Sequence, residues 1–379
     1  MNYDFSEEAE KLFEAIRSIA ATAPAEEDLA GATVDTISAA LREMLKALAE
    51  TGYLQDGRDD DTPEGAVNQM AAMETLAGQA RSLFLAVEMS TRVLGRALAR
   101  WGTGAAQEQW REGLLQGQWI GALALSEEAM NVQNDPLATV GSRKNGHIVV
   151  SGGKHYVINA PLADKIGVVG LLEDRPAIFM LDAGADGLSI SEPVPTMGYD
   201  GIRMADVTLD ACVLPEENVL HPPEGTPVLD LLRQWENEVL MAAALGMMQA
   251  AFTEARDFAK SHRSGGKPVI AYQEVGFKLS EMLTLYQTAQ LLAYRAVWTL
   301  KNQPKEGASL IWCAKVFATE AAERVAGEAL RILAGQGYRA GSASESAYRA
   351  AKWTQIGGMS TEIARVRIGD QALGYAPGR

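Results

Sequence analysis

Cysteine and histidine are scarce in this chain. Cys212 and Cys313 stand about a hundred residues apart, and the four histidines, His147, His155, His221 and His262, do not gather around them. A structural zinc site needs closely spaced ligands and a disulfide framework needs a set of thiols, so neither is expected. Basic charge is also short: 34 Lys and Arg against 49 Asp and Glu give a formal net charge of −15. A nucleic-acid surface needs a basic footprint, and this balance argues against one. An anionic cofactor is not excluded, because local amides and a few cations are enough to hold a phosphate. Long apolar runs are missing as well. No stretch reaches the roughly 18–20 apolar residues of a membrane-spanning helix, and the acidic opening MNYDFSEEAE lacks the basic-then-apolar order of a secretory signal. The expectation is a cytoplasmic protein. No internal repeat is evident, and no GxGxxG or Walker loop follows a strand-like segment.

What the chain has is the composition of a globular protein, with 47% hydrophobic and 22% charged residues, at a length of 379 that suits two or three domains. The first third has helical texture. Ile37, Leu41, Met44, Leu45 and Leu48 recur at three-and-four spacing, and a second amphipathic stretch runs from about Glu64 to Trp101, entered through Thr62-Pro63. From about Ile120 the texture changes. Short segments rich in β-branched residues, at 146–150, 165–172 and 177–181, are punctuated by Gly, Asp and Pro, which is strand chemistry. They end near Val213-Leu214-Pro215. HPPEGTP, His221 to Pro227, then leads into a second helical block with breaks at 264–267, 302–307 and 335–344. Segregated helical, β and helical blocks indicate a multi-domain α+β chain, not a doubly wound sheet. The expected domains are 1–119, 120–222 and 223–379.

Six short motifs follow one another in a recognisable order. They are GTGAAQEQWREGLLQGQWIGALALSE (102–127), GGKHYVINA (152–160), VLPEENVL (213–220), GGKPVIAYQ (265–273), RILAGQGY (331–338) and YRAAK (348–352). Their order and spacing resemble those of the acyl-CoA dehydrogenase family over nearly the whole chain. The resemblance implies an N-terminal helical domain, a middle β-barrel-like domain and a C-terminal four-helix bundle, with FAD held against an acyl-CoA thioester. It further implies a homotetramer and an electron-transfer flavoprotein as the electron acceptor.

By the same resemblance, Leu125, Ser126, Tyr156, Val157 and Ile158 line the flavin ring, Ser126 standing for a Thr and Tyr156 for a Trp. Arg263, Gln273, Arg331, Gly335 and Gln336 are the candidates for the pyrophosphate end, with Gly337 beside them. Ser360 and Glu362 fall where the family faces FAD. From pattern alone, Ser126 and Tyr156 also read as an ordinary strand end and sheet surface, and AGQGY as a plain helix C-cap and turn.

Several positions depart from the family. LSEEAMNVQND (125–135) has Glu128, Asn131 and Val132 where Pro, Gly and Ser are expected, and Ile158 replaces a Thr donor. His262 stands at the usual Arg position and Gly265 at an aromatic one. The largest departure concerns the base. Dehydrogenation requires a carboxylate to remove the α-proton. The position near the C-terminus that commonly carries it is Gly358 here. A minority of the family, including isovaleryl- and long-chain-type enzymes, places the base on the first helix of the bundle, about ten residues before a Gly. Glu236 stands ten residues before Gly246, in an apolar helical stripe with Leu229, Leu232, Leu240, Ala243 and Met247. Glu238 also has apolar neighbours at helical spacing, so periodicity does not choose between the two, whereas the family spacing favours Glu236. Asn237 replaces the Arg that commonly follows the base. Two readings remain at this stage: an active dehydrogenase for a branched, cyclic or dicarboxylic acyl-CoA, and a non-catalytic subunit paired with an active paralogue in a mixed tetramer.

Overall fold

The computed structural model describes residues 5–55, 62–128 and 137–375. Helices α1 (Glu7–Ala20), α2 (Glu26–Leu29), α3 (Val34–Glu50), α4 (Pro63–Gln79) and α5 (Arg81–Glu88) come first. A π-helical turn (Met89–Gly95), α6 (Arg96–Trp101) and α7 (Ala105–Leu115) follow. Strands β1 (Gly121–Ala124), β2 (Val140–Lys144), β3 (His147–Ile158), β4 (Lys165–Leu172), β5 (Arg175–Asp182), β6 (Leu188–Ile190), β7 (Met204–Leu214) and β8 (Val219–Leu220) come next. The chain then returns to helix in α8 (Val228–Ser261). A small hairpin, β9 (Arg263–Ser264) with β10 (Lys267–Pro268), precedes α9 (Gln273–Asn302), α10 (Pro304–Leu333), α11 (Ala343–Ile356) and α12 (Thr361–Leu373).

Local chemistry explains the helix starts. Ser6, Thr33 and Thr62 each accept the N–H three residues on, at 3.2, 3.2 and 3.0 Å, and Pro63 follows Thr62 in the first turn. The stripe Ile37, Leu41, Met44, Leu45 and Leu48 is buried along α3, as its spacing predicts. The amphipathic stretch expected from about Glu64 to Trp101 is helical, with two interruptions. Ala80 leaves the helical region at φ −130°, ψ 62°, and the π-helical turn inserts between α5 and α6. Inside that region a buried network holds the turn: Arg92 pairs with Glu88 at 3.2 Å and the Tyr53 hydroxyl donates to Glu88 at 2.6 Å.

The segments read as strands form β3, β4 and β5 of an eight-stranded sheet, in the order β6-β7-β3-β2-β4-β5-β8. Two strands share one side of β4: β1 runs parallel along its first half and β2 along its end, Ala124 opposite Val168 and Val140 opposite Leu171. The end of β1 is thereby placed beside β3 and facing the helices.

The third block is organised around α8. From Asn237 to Met248 every residue of α8 is buried, as expected of a helix covered on all sides. Gly246 marks its crossing with α4. A Cβ there would lie 2.5 Å from the Gly78 nitrogen, so glycine permits the two backbones to touch.

Candidate active site

Where the end of β1, the bulged part of β3, the π-helical turn, the start of α8 and the α11–α12 turn converge, they enclose a pocket of about 570 Å³. Its walls include Leu125, Ser126, Tyr156, Val157, Ile158 and Glu236, so six of the sequence-selected residues come together. Met89 and Val93 reach the pocket from the π-helical turn, and Leu232 and Arg233 from α8. Leu232 stood in the apolar stripe of Glu236, and the other three were not singled out from the sequence. A hydrophobic residue in a helix has no pattern that separates a pocket wall from an ordinary core. Of the altered loop after β1, Glu128 lines the pocket, whereas Asn131 and Val132 lie outside the described residues.

The β side of the pocket is shaped by a bulge. The register of β3 against β7 shifts between Lys154 and Val157, and Tyr156 adopts φ +58° within it. A bulge re-aims side chains, and the Tyr156 ring is left exposed. Asp206 fixes the distortion by accepting the Tyr156 N–H at 3.2 Å and meeting His155 Nδ1 at 3.0 Å. Behind this wall the fully buried Lys154 ammonium donates to Glu127 at 2.6 Å and to the Leu125 carbonyl at 3.1 Å. Burial pushes the Lys154 ammonium down in pKa. Burial acts to raise Glu127 in turn, but Lys154 and the amides of Ala138 and Thr139 hold it below its ordinary value.

On the helical side, Glu236 is half-buried in the pocket wall, which Gly358 also lines. Burial raises its pKa above the usual carboxylate value, opposed by the nearby Gly358 amide and by the charges of Lys315 and Arg233. Lys315 is itself fully buried on α10 and is pushed down to about 8 by burial, against the pull of Glu236, Glu362 and Glu320. Glu238 lies apart from the pocket, its carboxylate paired with Arg96 at 2.9 Å and bonded by Gln234 at 3.3 Å. Structure therefore separates two carboxylates that helical periodicity leaves equivalent. A carboxylate with a raised pKa at the edge of a partly apolar cavity has the chemistry of a general base.

The remaining selected residues lie elsewhere. Gly335 and Gln336 border a second cavity of about 460 Å³ with Phe258, His262 and Tyr272. Arg263 and Gln273 are exposed nearby in sequence, and Arg263 donates to the Gly266 carbonyl at 2.6 Å. Arg331 faces another groove and pairs with Glu328 at 3.1 Å. The two glycines of AGQGY differ. A Cβ on Gly335 would meet open space, whereas one on Gly337 would lie 2.7 Å from the Leu330 carbonyl oxygen. Ser360 caps α12 by accepting the Ile363 N–H at 3.3 Å, and Glu362 is exposed in its first turn. Among the described residues no cluster of His, Cys, Asp and Glu is placed to hold a metal ion, and no helix is long and apolar enough to cross a membrane.

Helical blocks and a sheet meet at one pocket with a carboxylate in its wall, the arrangement that the resemblance in the sequence implies. Comparison with known proteins agrees. Residues 122–212 match the family model "Acyl-CoA dehydrogenase, middle domain" and residues 234–373 match "Acyl-CoA dehydrogenase, C-terminal domain". An acyl-CoA dehydrogenase of Bacillus subtilis is 30% identical over 67% of this chain and 69% of its own. A benzylmalonyl-CoA dehydrogenase of Aromatoleum aromaticum is 28% identical over 89% of this chain and 91% of its own. A glutaryl-coenzyme A dehydrogenase in complex with glutaryl-CoA shares the fold at a TM-score of 0.89, covering 100% of this chain and 98% of that one at 20% identity. The chain belongs to the acyl-CoA dehydrogenase family. Membership makes it an FAD-dependent oxidoreductase.

Proposed function

We propose that the protein oxidises an acyl-CoA thioester between its α and β carbons, with Glu236 as the base and the roughly 570 Å³ pocket as the site of both flavin ring and thioester. The observation that carries the reading is that Glu236 lines the same pocket as the β-strand residues, while Glu238 is engaged with Arg96. The strand side suits an isoalloxazine: Leu125, Val157 and Ile158 are apolar, the Tyr156 ring is exposed beside them, and Ser126 adds a hydroxyl. When bound, FAD supplies the acceptor for the β-hydrogen, which leaves as hydride. Glu236 takes the α-proton, and its raised pKa strengthens it as a base once it is ionised. Met89, Val93 and Leu232 keep water from that wall.

Gly335, Gln336, Arg263 and Gln273 form the pyrophosphate end in this reading, with Arg331, Ser360 and Glu362 contributing further contacts. Their distribution over surfaces separate from the Glu236 pocket supports a cofactor cradle completed by a neighbouring subunit, in a tetramer of this chain. An electron-transfer flavoprotein is the proposed acceptor.

The test is the absorption spectrum of the purified protein before and after anaerobic addition of glutaryl-, isovaleryl- or butyryl-CoA. Flavin bands that bleach with one of these support the reading. A colourless protein, or a bound flavin that none of them reduces, favours the non-catalytic subunit.

A further inference from the structure

The proposed reaction makes no use of Lys315, whose side chain is fully buried on α10. Its ammonium donates to two main-chain carbonyls, that of Met359 and, at 3.0 Å, that of Gln355. The residues between these carbonyls, Ile356, Gly357 and Gly358, all line the Glu236 pocket. One side chain of α10 thus grips both ends of the turn that joins α11 to α12. Carbonyls in the last turn of a helix lack intrahelical partners, and the negative pole there favours a cation. The grip continues along one stripe of α10, where the Gln355 side chain donates to the Thr319 carbonyl at 3.4 Å and to Glu323 at 2.9 Å. Asn237 on α8 completes it by accepting the Met359 N–H at 3.0 Å. The turn is therefore fixed by hydrogen bonds to two neighbouring helices. It also presents an apolar group to the pocket: Ile356 is 64% exposed, and Tyr156, on β3 and bordering the same pocket, is 61% exposed. Exposed apolar side chains gathered in one concave site are surface that a ligand covers.

We propose that the α11–α12 turn is a contact wall for the acyl-CoA, with Ile356 packed against the ligand, and that Lys315 is the positioning residue that holds this wall in place. The inference rests on the Glu236 pocket being the acyl-CoA site, but not on Glu236 being the base. Lys315 acts through the two carbonyls it bridges. Without its ammonium the Met359 carbonyl loses a donor in a buried place, and the two ends of the turn are no longer tied to one atom. Ile356, Gly357 and Gly358 then take a range of positions, and the ligand must order them as it binds.

The experiment uses the FAD-loaded protein and the 2-enoyl-CoA counterparts of glutaryl-, isovaleryl- and butyryl-CoA. These are already oxidised between the α and β carbons, so they report binding without turnover. Binding is read from the change in flavin absorbance, and hydrogen exchange of residues 353–361 is followed by mass spectrometry. Lys315→Met, which removes the ammonium and keeps an apolar stem, is expected to keep its flavin, to bind the tightest of the three about tenfold more weakly, and to exchange faster in this segment. Ile356→Ala is expected to weaken binding by a similar factor with its melting temperature unchanged, because the side chain it trims is exposed. Glu238→Gln, which also loosens the bundle, is expected to bind as the unaltered protein does, and this separates positioning from general stability. Unchanged binding in both Lys315→Met and Ile356→Ala overturns the proposal. Weakened binding in Ile356→Ala alone, or equal weakening in Lys315→Met and Glu238→Gln, overturns the positioning role of Lys315. Should Lys315→Met fail to fold, Lys315→Gln, whose amide keeps a polar head on the side chain, takes its place with the same outcomes. An unaltered protein that holds FAD but binds none of the three removes the reading of the pocket itself, and the proposal with it.

Discussion

The guanidinium of Arg96 meets the carboxylate of Glu238 at 2.9 Å, and this ion pair distinguishes two acids two residues apart on the same helix. Glu238 ties α8 to α6, while Glu236 looks into the pocket. Glu238→Gln should therefore act on stability, leaving Arg96 without its anionic partner in a largely buried place. A loss of about 1–3 kcal/mol is expected, read as a lowered denaturation midpoint, with substrate-driven flavin reduction close to that of the unaltered protein. Reduction slowed a hundredfold in this variant would contradict the division of labour between the two acids.

The raised pKa of Glu236 has a sign that can be checked twice. As a base, Glu236 works only when ionised, so activity should fall as pH falls through a value above the roughly 4.3 of an ordinary glutamate. As an acid half-buried in the pocket wall, it weakens the fold while ionised. That cost is fully present above its folded pKa and vanishes below its unfolded one. Glu236→Gln should accordingly be more stable than the unaltered protein at pH 7, by a margin that closes on acidification. Equal stabilities across that range, from denaturant titrations at several pH values, would contradict the burial argument.

Lys154 and Glu127 support the β wall from behind. Replacing only the buried Lys154 by Met leaves Glu127, itself almost wholly covered, without its cation, and a loss of about 3–5 kcal/mol is expected. Replacing both by Met should cost less than Lys154→Met alone. Calorimetric melting of the two variants checks the order, and the reverse order would show that the pair does not act as a unit.

Gly335 and Gly337 should part company. Alanine at 337 must push into the Leu330 carbonyl, at an expected cost of about 1–3 kcal/mol, whereas alanine at 335 meets open space. If Gly335 lies against the FAD pyrophosphate, Gly335→Ala should keep its melting temperature when stripped of flavin and bind FAD more weakly, as flavin fluorescence titration would show. Unchanged FAD affinity would remove Gly335 from the cofactor site.

Much of this was legible in the sequence because it is local. β-branched runs between Gly and Pro announced β3, β4 and β5, and Thr62-Pro63 announced α4. The resemblance singled out Glu236 by its spacing to Gly246, and the structure gives Gly246 a physical reason in its contact with Gly78. What the sequence did not show depends on partners distant along the chain or on backbone groups. The pairing of Glu238 spans 142 residues, a distance no local pattern signals. The interruption of the Glu64–Trp101 stretch at Ala80 and in the π-helical turn was also unreadable, since Ala and Met are good helix formers and tertiary packing overrides propensity. Lys315 stood as a lone cation in the apolar WCAKVFATE segment, a signal that could have marked it.

The most direct measurement is anaerobic rapid mixing of FAD-loaded Glu236→Gln with the acyl-CoA that best reduces the unaltered protein, following loss of flavin absorbance. Flavin content and acyl-CoA binding should be retained while the rate of bleaching falls on the order of a hundredfold or more, the range for loss of a general base. Bleaching at the rate of the unaltered protein would contradict the account.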